Sequence, residues 1–432
     1  MQIMEYPARK EWEKILARPQ KDTASLETAV KGIMQEVKLE GDPAVDKYSL
    51  EFDKVELRER LVAEAEWKAA EKELSGSLKA AIGVAKNNIE KFHRKQWMEE
   101  EATETMPGIR CWRKSVPIEK VGLYIPGGTA PLFSTVLMLA IPAAIAGCRE
   151  VILCSPPDRD GRLHPAILYA ASLTGVRKIY KIGGVQAIAA MAYGTKTVSR
   201  VDKIFGPGNQ YVTCAKQLLQ QEGVAIDMPA GPSELLVYAD ETALPAFVAA
   251  DLLSQCEHGP DSQVILLTGD KKIAEAIIRE ISLQISVLPR KDIAGRALAN
   301  SKAIIAESRD QAMELINAYA PEHLILACKD ALEFSSAVQH AGSVFIGNFA
   351  PETAGDYASG TNHTLPTNGY ARAFSGVSVD SFIKKISFQE LSAKGLSGIG
   401  GTLIEMARAE GLQAHAAAVE IRLEQIKNNL HG

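Results

Sequence analysis

The chain lacks a large surplus of either charge: 48 Lys and Arg stand against 53 Asp and Glu, a net charge of −5 over 432 residues, with the signs interleaved. That leaves no electrostatic footprint for nucleic acid or for an anionic membrane surface. Paired cysteines are absent too. Cys111, Cys148, Cys154, Cys214, Cys256 and Cys328 are scattered with no C-x-x-C pair and no zinc-finger spacing, which suggests a reducing cytoplasm and buried, structural thiols. The opening "MQIMEYPARKEWEKI" lacks the apolar core of a signal peptide. The longest apolar stretch, "PLFSTVLMLAIPAAIAG" at 131–147, is slightly short for a membrane span, contains Pro142 and runs straight into the strand-like "REVILCSPP". A buried helix of an α/β domain is expected there. "NHT" at 362–364 is a glycosylation sequon, which carries no weight without secretion.

What is present reads as an ordinary globular composition, 46% hydrophobic and 23% charged, in 432 residues that exceed what one core accommodates. The first hundred residues have helical spacing: "TASLETAVKGIMQEVKLEG", with Ser25 as a candidate cap, then two helices within 64–97. From "VGLYIPGG" (121–128) onward short apolar strands alternate with helices of about a dozen residues, in two successive runs. The expectation is an α/β fold with two Rossmann-like parallel-sheet domains, incomplete and duplicated, plus helical N-terminal and C-terminal segments. The expected division is an arm at 1–20, a first α/β domain from 21–120 together with 230–375, a second at 121–229, and a helical tail at 376–432 that serves dimerisation.

The chemistry centres on "AYAPEHLIL", 318–326. Pro321 biases Ala320 away from helix, so Glu322 and His323 open a new element or sit in a turn. Neighbours on a helix or strand do not share a face, so the pair can approach one reacting centre from two directions; a glutamate in a first helical turn beside a partly buried histidine is the alternative. "LLSQCEHGP" places Gln255 and His258 at i and i+3 near a helix end, a geometry that can share a metal or merely end a helix in solvent. "PETAGDYASGTNHTLPT" (351–367) is a long polar loop holding Asp356 and His363, and loops of that length are functional or disordered. "AEGLQAHAAA" sets Glu410 and His415 near the start of the last helix. His258, His323, His363 and His415 each lie near a carboxylate or amide, whereas His93, His164, His340 and His431 read as surface or helix-end residues. Nitrogen and oxygen donors without thiolate suit a catalytic Zn²⁺ or Mn²⁺. "YIPGG" and "FGPGNQY" follow apolar strands, where a dinucleotide would lie, but neither is G-x-G-x-x-G and plain tight turns fit as well.

Taken together, "GLYIPGG", "GGVQAIAA", "FGPGNQYV", "AGPSELLV", "SQCEHGP", "APEHL", "NFAPETAGDYASGTNHTLPT" and "EGLQAHAAA" resemble the histidinol dehydrogenase family, in order, from about residue 20 onward. The resemblance implies oxidation of L-histidinol to L-histidine with two NAD⁺, through bound L-histidinaldehyde, as the last step of histidine biosynthesis. It implies one zinc per subunit on Gln255, His258, Asp356 and His415, with substrate contacts from these four, from Glu322 and His323, and from Ser233, His363 and Glu410. It further implies an NAD site lined by Tyr124, Gln186 and Asn209, and a homodimer whose active site is shared between subunits. Glu322 and His323 are then two bases, His323 collecting hydroxyl protons near neutral pH and Glu322 activating water. Cys256 departs from the alanine common in relatives and reads as packing. A dehydrogenase of another small alcohol or diol, or a zinc hydrolase, are the rival functions.

Overall fold

The computed structural model describes the chain except residues 20–23, 58, 98–99, 128–130, 230 and 431–432. Among the described residues the strands are β1 (Gln2–Glu5), β2 (Thr103–Met106), β3 (Ile109–Pro117), β4 (Lys120–Tyr124), β5 (Glu150–Ser155), β6 (Lys178–Lys181), β7 (Lys203–Phe205), β8 (Ala225–Ile226), β9 (Glu234–Ala239), β10 (Gln263–Thr268), β11 (Lys302–Ile305), β12 (His323–Ala327), β13 (Ser343–Ile346) and β14 (Ile383–Leu391). Two compact units result, one of residues 1–96 and 118–382, the other of 97–117 and 383–432.

The first unit contains two parallel sheets, ordered β6-β5-β4-β7-β8 and β1-β11-β10-β9-β12-β13. Leaving β1 aside, both follow one topology: the first strand is central, the next two extend to one side and the last two to the other. The strands are near-continuous apolar runs because helices cover both faces. The segment at 131–147 forms the helix Phe133–Ala146, with eleven of its fourteen residues buried, so it is a core helix. Among the described residues no helix is long and apolar enough to cross a membrane.

Several expectations change. Residues 2–5 are an edge strand of the larger sheet, parallel to β11, and not a free arm. The helices Ala24–Glu40 and Asp42–Tyr48 bury Val30, Met34, Val37 and Val45 with Ile152 and Ile188, so they pack on the five-stranded sheet and not on the larger one. Ser25 lies inside the first of these helices, past the position a cap would take. His93 is a helix-end residue as expected, in the last turn of the helix Gly76–Arg94, but it is not on the surface: it is fully buried, its Nδ1 2.9 Å from the Ile89 carbonyl. His431 and the second glycine of "YIPGG", Gly128, lie outside the described residues.

The second unit corrects the all-helical tail. It holds an antiparallel sheet, β14-β3-β2, with Trp112 stacked on Phe388 at 5.4 Å. The helices Ala393–Ala409 and Gln413–Leu430 follow, with Leu423 packed so closely on Gly400 that a Cβ there would lie 2.8 Å from it.

Candidate active site

Glu322 and His323 are placed by a helix that is made to stop. The helix Arg309–Tyr319 ends at Ala320, which takes a left-handed φ of 52° directly before Pro321. Proline disfavours a helical predecessor, and the left-handed state costs an alanine ~1 kcal/mol. The chain resumes as β12, with His323 its first residue, paired in register with Leu235 and Ser343. The Gly342 N–H donates to the Pro321 carbonyl and the Ser343 N–H to the Glu322 carbonyl, each at 2.9 Å. The pair therefore opens a strand, and the first-turn helical alternative falls away.

Both side chains are enclosed, Glu322 at 7% and His323 at 4% exposure. Glu322 Oε2 accepts the Glu234 N–H at 2.9 Å, and His323 Nδ1 lies 3.3 Å from the Glu234 carbonyl. A donor at Nδ1 leaves Nε2 as the accepting nitrogen, and Nε2 lies 3.6 Å from Asp356 Oδ1. Glu322 Oε2 and Glu352 Oε1 each stand 3.6 Å from Nδ1. Burial pushes the Glu322 carboxyl up to about 8, opposed by His323. Burial also works against a charged His323, but the carboxylates of Glu352, Glu322 and Asp356 outweigh it and raise the imidazole to about 10. Of these acids only Glu322 is its neighbour in sequence, and a divalent cation held by Asp356 and His258 would offset their charge and lower the imidazole toward the range in which it can accept a proton.

The polar loop at 351–367 contains a short helix, Glu352–Tyr357, which sets Glu352 and Asp356 at i and i+4 on one face. Glu352 is 1% exposed and neither of its oxygens has a hydrogen-bond partner. Burial holds its carboxyl well above the ordinary range, against the pull of His323. Burial resists ionisation of Asp356 as well, yet His323, His363 and His258 keep it below the usual value. His363 is fixed by Nδ1 at 2.8 Å from the Asp356 carbonyl and Nε2 at 3.1 Å from Thr135 Oγ1.

A divalent cation fits this neighbourhood. His258, Glu352 and Asp356 offer ligand atoms that all lie within 4.8 Å of one another. Gln255, in the last turn of the helix Pro245–Cys256, is fully buried with both amide atoms unpartnered, and a buried orphan amide is a vacancy for a ligand. Mixed oxygen and imidazole donors suit Zn²⁺ or Mn²⁺. The structure thus brings together His258 and Asp356 and adds Glu352, which sequence reasoning missed although its i,i+4 spacing to Asp356 was visible. Glu410 and His415 belong to the second unit, both exposed in this chain, where Glu410 ends the helix Ala393–Ala409 and His415 lies in the first turn of the helix after it. Cys256 is fully buried and its thiol is pushed up to about 12, so it is packing, as the sequence suggested.

Of the remaining residues, Asn209, Ser233 and His363 line one cavity of about 900 Å³ together with His258, Glu322, His323 and Asp356, whereas Tyr124 and Gln186 are buried and are not among its lining residues. Ser233 immediately precedes β9, its carbonyl accepting the Gln263 N–H at 3.2 Å. Tyr124 is the last residue of β4, and Gln186 and Asn209 follow the carboxyl ends of β6 and β7, where nucleotides rest on open α/β sheets. The Tyr124 hydroxyl accepts the Gly184 N–H at 3.1 Å, both amide atoms of the buried Gln186 are unpartnered, and Asn209 caps the helix Gln210–Gln221. Gly206, at φ 124°, lets β7 close on β4: a Cβ there would sit 2.0 Å from the Tyr124 carbonyl oxygen. Glu322 and His323, by contrast, stand at the amino end of β12, beside that of β9, in the larger sheet.

An enclosed Glu–His pair, a cation-capable donor group and an open parallel α/β sheet are compatible with a dehydrogenase. Comparison with known proteins specifies which. The family model described as histidinol dehydrogenase matches residues 16–423. The chain is 58% identical over 427 residues to a histidinol dehydrogenase of Bacteroides fragilis, covering 99% of this chain and 100% of that one. It is 51% identical over 418 residues to one of Vibrio parahaemolyticus, 96% of each. The crystal structure of histidinol dehydrogenase from Elizabethkingia anophelis superposes with a TM-score of 0.97 at 53% identity, covering 99% of both chains. The chain belongs to the histidinol dehydrogenase family, oxidoreductases of histidine biosynthesis that act on the CH–OH group of histidinol (EC 1.1.1.23).

Proposed function

We propose that this chain performs the NAD-linked, zinc-dependent four-electron oxidation of L-histidinol to L-histidine through bound L-histidinaldehyde, in the cytoplasm, as the last step of histidine biosynthesis. The supporting observation is the enclosed Glu322–His323 pair on the wall of a cavity that also carries His258 and Asp356, two members of the donor group they form with Glu352. Zinc, one per subunit, would be held by Gln255, His258, Asp356 and His415, and when bound supplies a fixed charge that anchors and orients the substrate. NAD, two per turnover, would lie along Tyr124, Gln186 and Asn209, and supplies the hydride acceptor.

The rest is done by the chain's own groups. His323 accepts the hydroxyl proton at Nε2 as the alcohol carbon is oxidised to the aldehyde, its ring held by the Glu234 carbonyl at Nδ1. Glu322, through the ionised fraction that a carboxyl near 8 keeps at neutral pH, takes a proton from a water that adds to the aldehyde, while His323 returns its proton to the former carbonyl oxygen, giving the hydrate. His323, having released its first proton, takes a second as the hydrate is oxidised to the acid. Burial keeps bulk water from competing at either stage. Ser233 and His363 would bind substrate from this subunit. Glu410 and His415 would reach the site of a second copy, giving a homodimer with shared active sites; exposed Met406 and Ile421 on the same two helices, and Leu412 in the turn between them, are consistent with a covered surface.

The test is NADH formation with histidinol, set against a panel of small diols and peptides. Histidinol is expected to be the preferred substrate. A diol turned over faster, or peptide hydrolysis without NAD, would overturn the reading in favour of a rival.

A further inference from the structure

Both bases lean on one residue, Glu234. Its backbone N–H donates to Glu322 Oε2 and its carbonyl accepts from His323 Nδ1, so a shift of that single residue displaces both groups. Its side chain is 3% exposed and accepts three hydrogen bonds: from Arg18 Nε, from Arg18 Nη2 at 2.8 Å and from the Asn368 N–H at 2.7 Å. Arg18 reaches further. Its Nη2 also donates to the Tyr319 carbonyl at 2.8 Å and its guanidinium lies 4.1 Å above the Tyr319 ring. The Tyr319 hydroxyl donates to Gln263 Oε1 at 2.9 Å, and Gln263 Nε2 returns to the Ala17 carbonyl at 3.0 Å, which closes a ring around Arg18.

We propose that Arg18 is a positioning residue for the oxidation: its bidentate grip on Glu234, and its stacking on Tyr319, fix the entry of β9 against the entry of β12, which carries Glu322 and His323. Tyr319 stands three residues before Glu322, and Asn368 follows the loop that carries His363, so one guanidinium ties three segments of the cavity wall. A planar fork can do this and an ammonium cannot, because only the fork meets both carboxylate oxygens and a ring face at once. Arg18 itself is not among the residues lining the cavity, so its effect passes through Glu234 and Tyr319. The inference rests on the reading of Glu322 and His323 as the bases.

The experiment compares Arg18→Met, Arg18→Lys, Glu234→Gln and the Met/Gln double variant of the full chain. It measures kcat and KM for histidinol, bound zinc, NAD affinity and thermal midpoint. Misplacing a reacting group by about 1 Å can cost ~10²-fold, so Arg18→Met should lose at least about tenfold in kcat. KM for histidinol should stay within about threefold, with zinc content and NAD affinity unchanged, and Arg18→Lys should recover part of the loss. If Arg18 acts through Glu234, the double variant loses no more kcat than the worse single one. A folded Arg18→Met with wild-type kcat, a change in KM alone, a loss that tracks missing zinc, or multiplicative losses in the double variant each overturn the proposal. Should Arg18→Met not fold, Arg18→Lys and Glu234→Gln decide it by the same kcat and KM criteria. A wild-type chain inert toward histidinol would overturn the functional reading itself; an active wild type with unaffected variants overturns the clamp alone.

Discussion

Gly342→Ala should damage catalysis from a position that carries no chemistry. A Cβ added there would stand 2.5 Å from the Glu322 carbonyl oxygen and 3.2 Å from Leu365 Cβ. Real Cβ atoms essentially never approach within 3.0 Å, so the Glu322 backbone must retreat by about half an ångström or more. The retreat strains two hydrogen bonds, Gly342 to Pro321 and Ser343 to Glu322. Overpacking of this kind costs about 1–3 kcal/mol. The carbonyl belongs to the residue proposed to activate water, and displacements near 1 Å cost ~10²-fold in rate. A tenfold to hundredfold loss of kcat is therefore expected, beside a lowered thermal midpoint. Steady-state NADH production and a calorimetric melt report the two separately. A variant that is destabilised yet retains wild-type kcat would refute the reasoning, since the strain would then be absorbed on the Leu365 side without moving Glu322.

Three further outcomes follow from the site. Strong chelation should abolish turnover and Zn²⁺ or Mn²⁺ restore it, while His258→Asn loses bound metal but keeps its circular dichroism; full activity in a metal-free sample would contradict the donor assignment. Cys256→Ala should retain kcat within about threefold and lose ~1 kcal/mol of stability, since the thiol is a core group; an inactive but folded variant would reopen thiohemiacetal chemistry. Glu322 has a folded pKa raised to about 8 from an ordinary 4.5, so the folded state holds a proton that the unfolded chain releases. Its contribution to stability accordingly falls as pH rises from 4.5 toward 8, and Glu322→Gln should raise the melting temperature more at pH 8 than at pH 5. A pH-independent difference would show that Glu322 is ionised in the folded chain throughout.

The parts legible in the sequence are those where local pattern and tertiary role coincide. Apolar strands bounded by glycine marked both parallel sheets, and Ala320-Pro321 marked the stop that places Glu322 and His323. β2, β3 and β14 escaped because they form a mostly exposed antiparallel sheet, so burial imposes little alternation on their residues. β1 escaped because four residues at a sheet edge carry too little periodicity to read. At the site, the donors were visible as short motifs, whereas their electrostatics were not. Beyond the adjacent Glu322, the field that raises His323 comes from Glu352 and Asp356, some thirty residues away in sequence, and the grip of Arg18 on Glu234 spans 216 positions. No spacing rule reaches that far; only the fold brings those groups together.

The division of labour between the two bases is tested most directly by supplying histidinol and histidinaldehyde separately to Glu322→Gln and His323→Asn. Removing a general base typically costs ~10²–10⁴ in rate. Glu322→Gln, close in size and still able to accept the Glu234 N–H, should slow aldehyde oxidation far more than alcohol oxidation. His323→Asn should slow both, because each oxidation releases a proton that the imidazole collects. Equal losses on the two substrates in Glu322→Gln would contradict the account, leaving Glu322 as a support for His323 and His323 as the only base for both steps.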